Sequence, residues 1–325
     1  MTSRTLIEAI ADAMTVALED DDRVLILGED VGRNGGVFRA TDGLIERFGA
    51  DRVVDTPLAE AGIIGAAIGL AEYGLRPIAE IQFLGFSYQG FAQLIAQAAR
   101  VRWRSGGRFS CPLVVRAPFG VGVRAPELHS DALEAHFVHT PGLKVVAPST
   151  PYDAKGLLLA AIDDPDPVVF LEPLRGYRAS RGEAPDGRYI VELGKAAVVR
   201  AGAHVTLIGW SAMVAVCLGA ADLLHAEGVE AEVIDVRTLA PLDAETIVAS
   251  VQKTGRAVVV HEAPRSAGVG AEIAALIGER ALLSLEAPVG RVTGYDVPIP
   301  PAVLEDHYLP NPARVAAAAR ATLTF

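Results

Sequence analysis

Short apolar runs that alternate with helical segments are the feature that most constrains the fold of this chain. VLILG at 24–28 is apolar throughout, which is typical of a strand buried on both faces of a parallel sheet. Thr5 and Glu8 form a capping-box pattern, and apolar residues at helical spacing follow them. Further strands are predicted at 52–56, 76–83, 112–118, 143–148 and 167–172, with helices between them. This alternation predicts a doubly wound α/β domain.

A polar segment rich in Arg, Gly and Pro, 172–188, interrupts the alternation and is typical of a connection between domains. The alternation then resumes, with strands predicted at 204–210, 231–236 and 256–262. We therefore predict an α/β fold with two doubly wound domains: a first domain over residues 1–180, a linker over 181–195 and a second domain over 196–325.

Composition limits the partners of the chain. Its net charge is −11, so its surface repels phosphate backbones, and nucleic acid is not an expected partner. No apolar run reaches the ~20 residues that span a bilayer, so no membrane association is expected. Cys111 and Cys217 share no motif, which indicates reduced core thiols and a cytoplasmic location.

Glu60 ends the hexapeptide DTPLAE and begins an apolar, glycine-rich stretch, AGIIGAAIGLAEYG. The pattern predicts a helix from about 59 to 73 that is almost wholly buried, with this carboxylate at its first turn. Burying a carboxylate is costly, which favours a chemical task for Glu60. Glu60 could instead interact only with the positive end of its own helix.

Two further ionisable residues are expected near Glu60. Glu29 follows the first predicted strand of the sheet, and His129 lies in a glycine-rich loop after the fourth. Ligands of open α/β sheets bind beyond the carboxyl ends of the strands, so these residues are predicted to meet at one edge. The alternative is that Glu29 and His129 are solvated loop residues.

Small residues after Glu60 form one face of the predicted helix, which contains Gly62, Ala66 and Gly69. Each Gly in a helix costs up to about 1 kcal/mol relative to Ala, so another backbone is expected to pack closely there. That backbone could belong to another subunit or to the same chain. GVGAE at 268–272 is a possible phosphate-binding turn at a helix start, but a packing or interface role is favoured.

Several long segments resemble the β subunit of the thiamine-diphosphate-dependent first components of 2-oxoacid dehydrogenase complexes: 28–44, 55–71, 80–86, 126–158 and 232–243. The resemblance runs from about residue 4 to the end of the chain. It implies a transketolase-like pyrimidine-binding domain followed by a transketolase C-terminal-like domain. It also implies an α2β2 heterotetramer, with thiamine diphosphate held between an α and a β subunit.

The α subunit of the family holds magnesium and the diphosphate through a GDG motif, which this chain lacks. Alone, the chain is therefore expected to be inactive.

The same resemblance implies roles for individual residues. Glu60 would hydrogen-bond to the pyrimidine N1′ of the cofactor and favour the imino tautomer that activates the thiazolium C2. Leu58 and Gln82 would line the pyrimidine site, and Phe86 would pack on the ring. Core packing is the alternative for Phe86.

Glu29 and His129 also match family positions. Glu29 would be an acid of the pocket that relays protons or binds structural water. His129 would lie near the substrate and lipoyl entrance and stabilise charged intermediates or assist acyl transfer. Some relatives hold a structural potassium ion, and the matching positions here are Leu113, Ala161, Asp164 and Asp166. An ordinary helix–strand turn is the alternative for those residues.

The implied function is oxidative decarboxylation of a 2-oxoacid and reductive acylation of a lipoyl group on the second component of the complex. Pyruvate is favoured as the substrate, with branched-chain 2-oxoacids and acetoin as alternatives. The other alternative is a non-catalytic subunit that docks the second component.

Overall fold

The computed structural model describes all residues of the chain, 1–325. Its strands, in chain order, are β1 (Thr2–Thr5), β2 (Val24–Gly28), β3 (Val53–Asp55), β4 (Arg76–Glu80), β5 (Val114–Phe119), β6 (Lys144–Val146), β7 (Val168–Pro173), β8 (Arg181–Ala184), β9 (Ala197–Arg200), β10 (Val205–Gly209), β11 (Ala231–Asp235), β12 (Thr238–Ala240), β13 (Ala257–Pro264) and β14 (Gly290–Gly294).

The α-helices, in chain order, are α1 (Leu6–Asp20), α2 (Leu44–Phe48), α3 (Glu60–Glu72), α4 (Phe91–Ala96), α5 (Val101–Arg104), α6 (Glu134–Val138), α7 (Pro151–Asp163), α8 (Ala212–His225), α9 (Ala244–Thr254), α10 (Val269–Arg280), α11 (Glu305–Tyr308) and α12 (Pro312–Leu323). None of these helices combines the length and the apolar character needed to cross a bilayer.

Two large sheets organise the chain. The first has the order β12-β6-β7-β5-β4-β2-β3, and all its strands are parallel except β12. The second has the order β14-β13-β10-β11-β9, in which only β9 is antiparallel. Helices connect the parallel strands, as the alternation in the sequence predicts.

The first helix forms where the capping box predicts it. The Thr5 side chain accepts a hydrogen bond from the Glu8 amide, and the Thr5 amide donates to the Glu8 carboxylate at 2.6 Å. Leu6, Ile10 and Met14 lie on one buried stripe, which packs against α7. The amphipathic pattern therefore gave both the position and the buried face of α1 correctly.

The two sheets share part of their apolar core. One core cluster contains Val115 and Leu171 of the first sheet together with Ile234 and Val259 of the second. The second unit also contributes β12, which pairs antiparallel with β6 at the edge of the first sheet. The second unit is therefore anchored firmly to the first, and the predicted domain boundaries stay a prediction.

The segment 172–188 is more ordered than its polar composition predicts. Glu172 is fully buried at the end of β7, and β8 pairs antiparallel with β1 in a separate two-stranded sheet. Both strands of this small sheet are mostly polar and partly exposed, so no apolar pattern marks them. The stretch without helix or strand runs from 185 to 196.

Two predicted helices differ from the structure. The helix that the alternation predicts between the strands at 76–83 and 112–118 is divided into α4, a short 3₁₀ helix at Ala98–Arg100, and α5. Helix α3 is not almost wholly buried, because the face that contains Gly65 and Gly69 is exposed. No atom lies within 4 Å of a Cβ added at either glycine, so packing within the chain does not explain them.

The glycines of GVGAE have a packing role. A Cβ added at Gly268 or Gly270 would lie under 3.0 Å from the ring of His261, which stacks on Trp210 with centroids 5.2 Å apart.

Cys111 and Cys217 are buried and unpaired, as predicted, and burial raises the pKa of the Cys111 thiol to about 12.

A buried ion cluster lies across the middle of the first sheet. The Arg116 guanidinium donates two hydrogen bonds of 2.7 Å to Glu172 and contacts Glu80, and all these side chains are almost fully buried. Tyr177 donates its hydroxyl to Glu172. Arg116 thus forms ion pairs with two acidic side chains that neighbouring strands bring into the core.

Replacing Arg116 with Ala should lower the free energy of unfolding by about 3–5 kcal/mol, because two buried carboxylates lose their cation. Urea unfolding of the isolated chain measures the change. Arg23→Ala is the matched control: Arg23 pairs with Asp21 on the surface, and its removal should barely move the midpoint. Equal midpoints for the wild type and Arg116→Ala would contradict this account.

Candidate functional site

Four parallel strands bring the predicted site residues to one edge of the first sheet. β5, β4, β2 and β3 are consecutive in that sheet, so their carboxyl ends lie side by side. Glu29 follows β2, Glu60 begins α3 after β3, Gln82 follows β4, and His129 lies in the loop after β5. The chain order thus places these residues where ligands of α/β sheets bind.

Glu60 is buried without a partner from its own chain. The residue is 8% exposed, and its carboxylate forms no hydrogen bond or ion pair within the chain. It is the first residue of α3, and no side chain makes a capping hydrogen bond to that helix start. Capping of its own helix therefore does not explain Glu60. Unlike the enclosed oxygens of Glu134, those of Glu60 are not cut off from solvent, so a ligand that supplies a hydrogen-bond donor can reach them.

Glu29 lies close enough to Glu60 to feel its charge. Burial raises the pKa of Glu29, and the Asp30 and Glu60 carboxylates raise it further. Glu29 is only half-buried, so it is not a freely solvated loop residue. Two neighbouring acids of this kind favour a shared proton or a donor group between them.

His129 belongs to an aromatic cluster. Its ring packs edge-on against Phe83 and Phe86, with centroids 4.4 and 4.9 Å away. The Nδ1 atom lies 2.9 Å from the carbonyl oxygen of Glu127 and therefore donates to it. The Nε2 atom makes no such contact within the chain and is free to face a ligand. Phe86 is half-buried, so part of its ring is accessible from the site.

The 3₁₀ helix Leu84–Gly90 connects the acids to this cluster. A Cβ added at Gly85 would lie 2.0 Å from the carbonyl oxygen of Leu128, next to His129. A Cβ added at Gly90 would lie 3.1 Å from the carbonyl oxygen of Glu60. Gly85 therefore permits a backbone contact that a Cβ atom would block, and Gly90 allows a close approach to α3. These two glycines were not singled out from the sequence, although they stand at both ends of the short segment GFSYQG that follows β4.

The site is open on one side. Leu58, predicted to line the pyrimidine site, is 71% exposed. Gln82 is half-buried, and the exposed small-residue face of α3 begins beside Glu60. A second protein surface would have to cover this side before a ligand could be enclosed.

The residues predicted to surround potassium are engaged elsewhere (Leu113, Ala161, Asp164 and Asp166). Lys144 Nζ lies 2.7 and 2.5 Å from the carboxylate oxygens of Asp164. Arg102 donates to Asp166 at 2.5 Å. A protein cation therefore pairs with each of these two carboxylates. Potassium binding stays a prediction from the resemblance.

Glu262 is a buried acid near the site that sequence reasoning missed. It lies on β13, is 4% exposed, and accepts a hydrogen bond from the Val121 amide at 2.8 Å. Burial raises the pKa of Glu262 to about 8. The available signal was a Glu near the end of a strand that is apolar apart from His261, much as Glu29 follows the apolar strand β2.

Known proteins resemble the chain over its whole length. Residues 2–179 match the family described as transketolase, pyrimidine binding domain, and residues 194–315 match transketolase, C-terminal domain. The pyruvate dehydrogenase E1 component subunit beta of Bacillus subtilis (strain 168) is 54% identical over 325 residues, with 100% of each chain covered. The protein of the same name from Staphylococcus aureus (strain N315) is 52% identical, with the same coverage.

One solved structure, a split gene transketolase described as an inactive beta4 tetramer, superposes with a TM-score of 0.81. It is 24% identical, and the match covers 98% of both chains. This likeness and the two matched domains confirm the predicted fold class, a transketolase-like pyrimidine-binding domain followed by a transketolase C-terminal-like domain.

Gly85→Ala should displace the segment around His129, because the added methyl group would overlap the Leu128 backbone. We expect faster amide hydrogen exchange over residues 120–131 and a loss of about 1–3 kcal/mol in unfolding free energy. Gly278→Ala in α10 is the matched control, since nothing lies within 4 Å of its added Cβ. Unchanged exchange in Gly85→Ala would show that the close approach is not required.

Proposed function

The chain belongs to the β-subunit family of the thiamine-diphosphate-dependent first components of 2-oxoacid dehydrogenase complexes. From that premise, we propose that it supplies the pyrimidine half of an active site whose other half lies on a separate α subunit. The assembled enzyme would decarboxylate a 2-oxoacid and transfer the acyl group to a lipoyl group on the second component.

The observation that carries the proposal is the unpartnered carboxylate of Glu60. It is 8% exposed, lies beside Glu29, and begins the helix that faces the open side of the site. A pyrimidine ring nitrogen would share a proton with this carboxylate and so satisfy it. The residues of the site therefore fit the ring of the cofactor.

When bound, thiamine diphosphate supplies the carbon nucleophile and the electron sink for decarboxylation. The protein groups orient it. Glu60 would hold the pyrimidine N1′ and favour the imino tautomer of the 4′-amino group. Phe86 would pack on the ring, and Leu58 and Gln82 would line its edges.

Two further residues would act on protons and charge. Glu29 shares the acidic corner of the site with Glu60 and would hold or relay a proton there. His129 would use its free Nε2 to hydrogen-bond the substrate or the departing acyl group. Its contacts with Phe83 and Phe86 orient the ring toward the site.

The partner subunit would complete the site. The chain has no group of three or more His, Cys, Asp or Glu residues that could hold a metal ion, and it lacks a GDG motif. Magnesium and the diphosphate would therefore be held by the α subunit of an α2β2 assembly. No step of the proposed reaction uses potassium. A cytoplasmic location stays a prediction from the sequence.

Pyruvate is the proposed substrate. Relatives that are 52–54% identical, with full coverage, are named pyruvate dehydrogenase E1 component subunit beta, which supports this choice. Pocket volume and α-subunit residues would set the preference, and one methylene changes binding by only about 1–3 kcal/mol. Steady-state rates with pyruvate, 2-oxoisovalerate and acetoin would rank the three substrates.

Glu60→Gln should abolish 2-oxoacid decarboxylation by the reconstituted enzyme, because an amide cannot share a proton with the pyrimidine nitrogen as a carboxyl group does. Assembly with the α subunit should be unchanged, which gel filtration of the mixture would check. Glu46→Gln, an exposed change on α2, serves as the control. Full activity in the Glu60→Gln enzyme would favour a docking subunit without chemistry of its own.

Gly65→Leu should weaken assembly with the α subunit without destabilising the isolated chain. No atom lies within 4 Å of an added Cβ at Gly65, and Leu favours helix over Gly by up to about 1 kcal/mol. Sedimentation of the mixed subunits measures assembly, and urea unfolding measures stability. Gly278→Leu, the same change at an open position of α10, should leave assembly intact. Normal assembly of Gly65→Leu would exclude this face from the interface.

A further inference from the structure

The loop that carries His129, residues 120–131, has a strained backbone. Gly120 and Gly122 have φ angles of +88° and +123°, and Arg124 and Leu128 have φ angles of +54° and +67°. A residue with a Cβ atom keeps such a conformation only when its surroundings enforce it. Contacts outside the loop must therefore hold it in shape.

Two carboxylates of the second domain make such contacts. Glu262 on β13 accepts a hydrogen bond of 2.8 Å from the Val121 amide. Glu305, the first residue of α11, accepts one of 3.2 Å from the Arg124 amide. Glu262 is 4% exposed and Glu305 is 2% exposed; the bond from Val121 is buried, so water competes little for it, and the bond from Arg124 is partly buried.

The start of the loop is built to receive Glu262. A Cβ added at Gly120 would lie 2.7 Å from both carboxylate oxygens of Glu262. The Arg175 side chain similarly occupies the space beside Gly122, 3.0 Å from its Cβ position. The loop therefore contains glycine at the two points where side chains from outside press against it.

The protonation of Glu262 suggests a conservative substitute. Burial raises the pKa of Glu262 to about 8, the Glu134 and Glu305 carboxylates also raise it, and the Val121 amide and Arg175 lower it. Glu262 is therefore mostly neutral near pH 7 and accepts through an uncharged oxygen. Glutamine has a similar shape and also offers an uncharged oxygen acceptor.

We infer that Glu262 and Glu305 are positioning residues for His129. They hold the amides of Val121 and Arg124, so the second domain fixes the loop that sets His129 against Phe86. This inference rests on the proposed role of His129 in the reaction. It gives the second domain a part in shaping the active site.

The test is a double-mutant cycle in the reconstituted α/β enzyme with pyruvate as the substrate. Glu262→Ala should lower kcat about 10- to 100-fold, as expected for a misplaced group. In a His129→Ala background, the same change should have little further effect, because the group it positions is gone. Glu262→Gln should restore most of the activity. Asp306→Ala is the control, since exposed Asp306 contacts the Arg124 guanidinium and leaves its amide untouched.

Multiplicative effects of Glu262→Ala and His129→Ala would overturn the inference, because they would show that Glu262 acts independently of His129. Normal activity of Glu262→Ala alongside an impaired His129→Ala enzyme would also overturn it, without touching the proposed function. Full activity of His129→Ala would instead refute the proposed role of that residue.

If Glu262→Ala fails to fold, the activities of Glu262→Gln and Glu262→Asp test the inference instead. Aspartate keeps the acid but is one methylene too short to reach the Val121 amide, so the inference expects an active Gln enzyme and an impaired Asp enzyme. The opposite order would show that the charge of Glu262 matters rather than its hold on the loop.

Discussion

A mostly buried residue whose carboxylate has no partner within its own chain is the constraint on which the rest of the site depends. Glu60 receives neither a cation nor a hydrogen-bond donor from its own chain. In the same sheet, Glu80 and Glu172 are buried more deeply, but Arg116 forms ion pairs with both. Ion pairing within the chain thus accounts for Glu80 and Glu172 but not for Glu60, whose oxygens a ligand can reach.

The surroundings of Glu60 are arranged so that the missing partner can reach it. The 3₁₀ helix Leu84–Gly90 contacts the Glu60 backbone at one end and the loop of His129 at the other. The second domain in turn holds that loop through Glu262 and Glu305. One side stays open beside the small-residue face of α3, which supports a site completed by another subunit.

The sequence predicted those parts of the structure that local patterns encode. The capping box located α1, and the order of apolar strands predicted that Glu29, Glu60 and His129 meet at one edge. The β1–β8 pairing was missed because both strands are polar and partly exposed. Helix α3 was predicted to be almost wholly buried because its sequence is apolar and rich in Gly and Ala on every face. In the single chain, one of these faces is exposed.

Long-range contacts could not be predicted. Glu262 and Val121 are 141 positions apart, and Glu305 and Arg124 are 181 apart. No local periodicity links such pairs, because only the packing of the two domains brings them together. The same holds for Lys144 and Arg102, which pair with Asp164 and Asp166 where the resemblance implied potassium. The resemblance identified these carboxylates but not the cations of this chain that neutralise them.

The most direct measurement is an experimental structure of the α/β assembly with bound thiamine diphosphate. The account predicts that a Glu60 carboxylate oxygen lies about 2.5–3.0 Å from the pyrimidine N1′, in a hydrogen bond that excludes water. A pyrimidine bound elsewhere, or a Glu60 side chain paired with a residue of the α subunit instead, would contradict it.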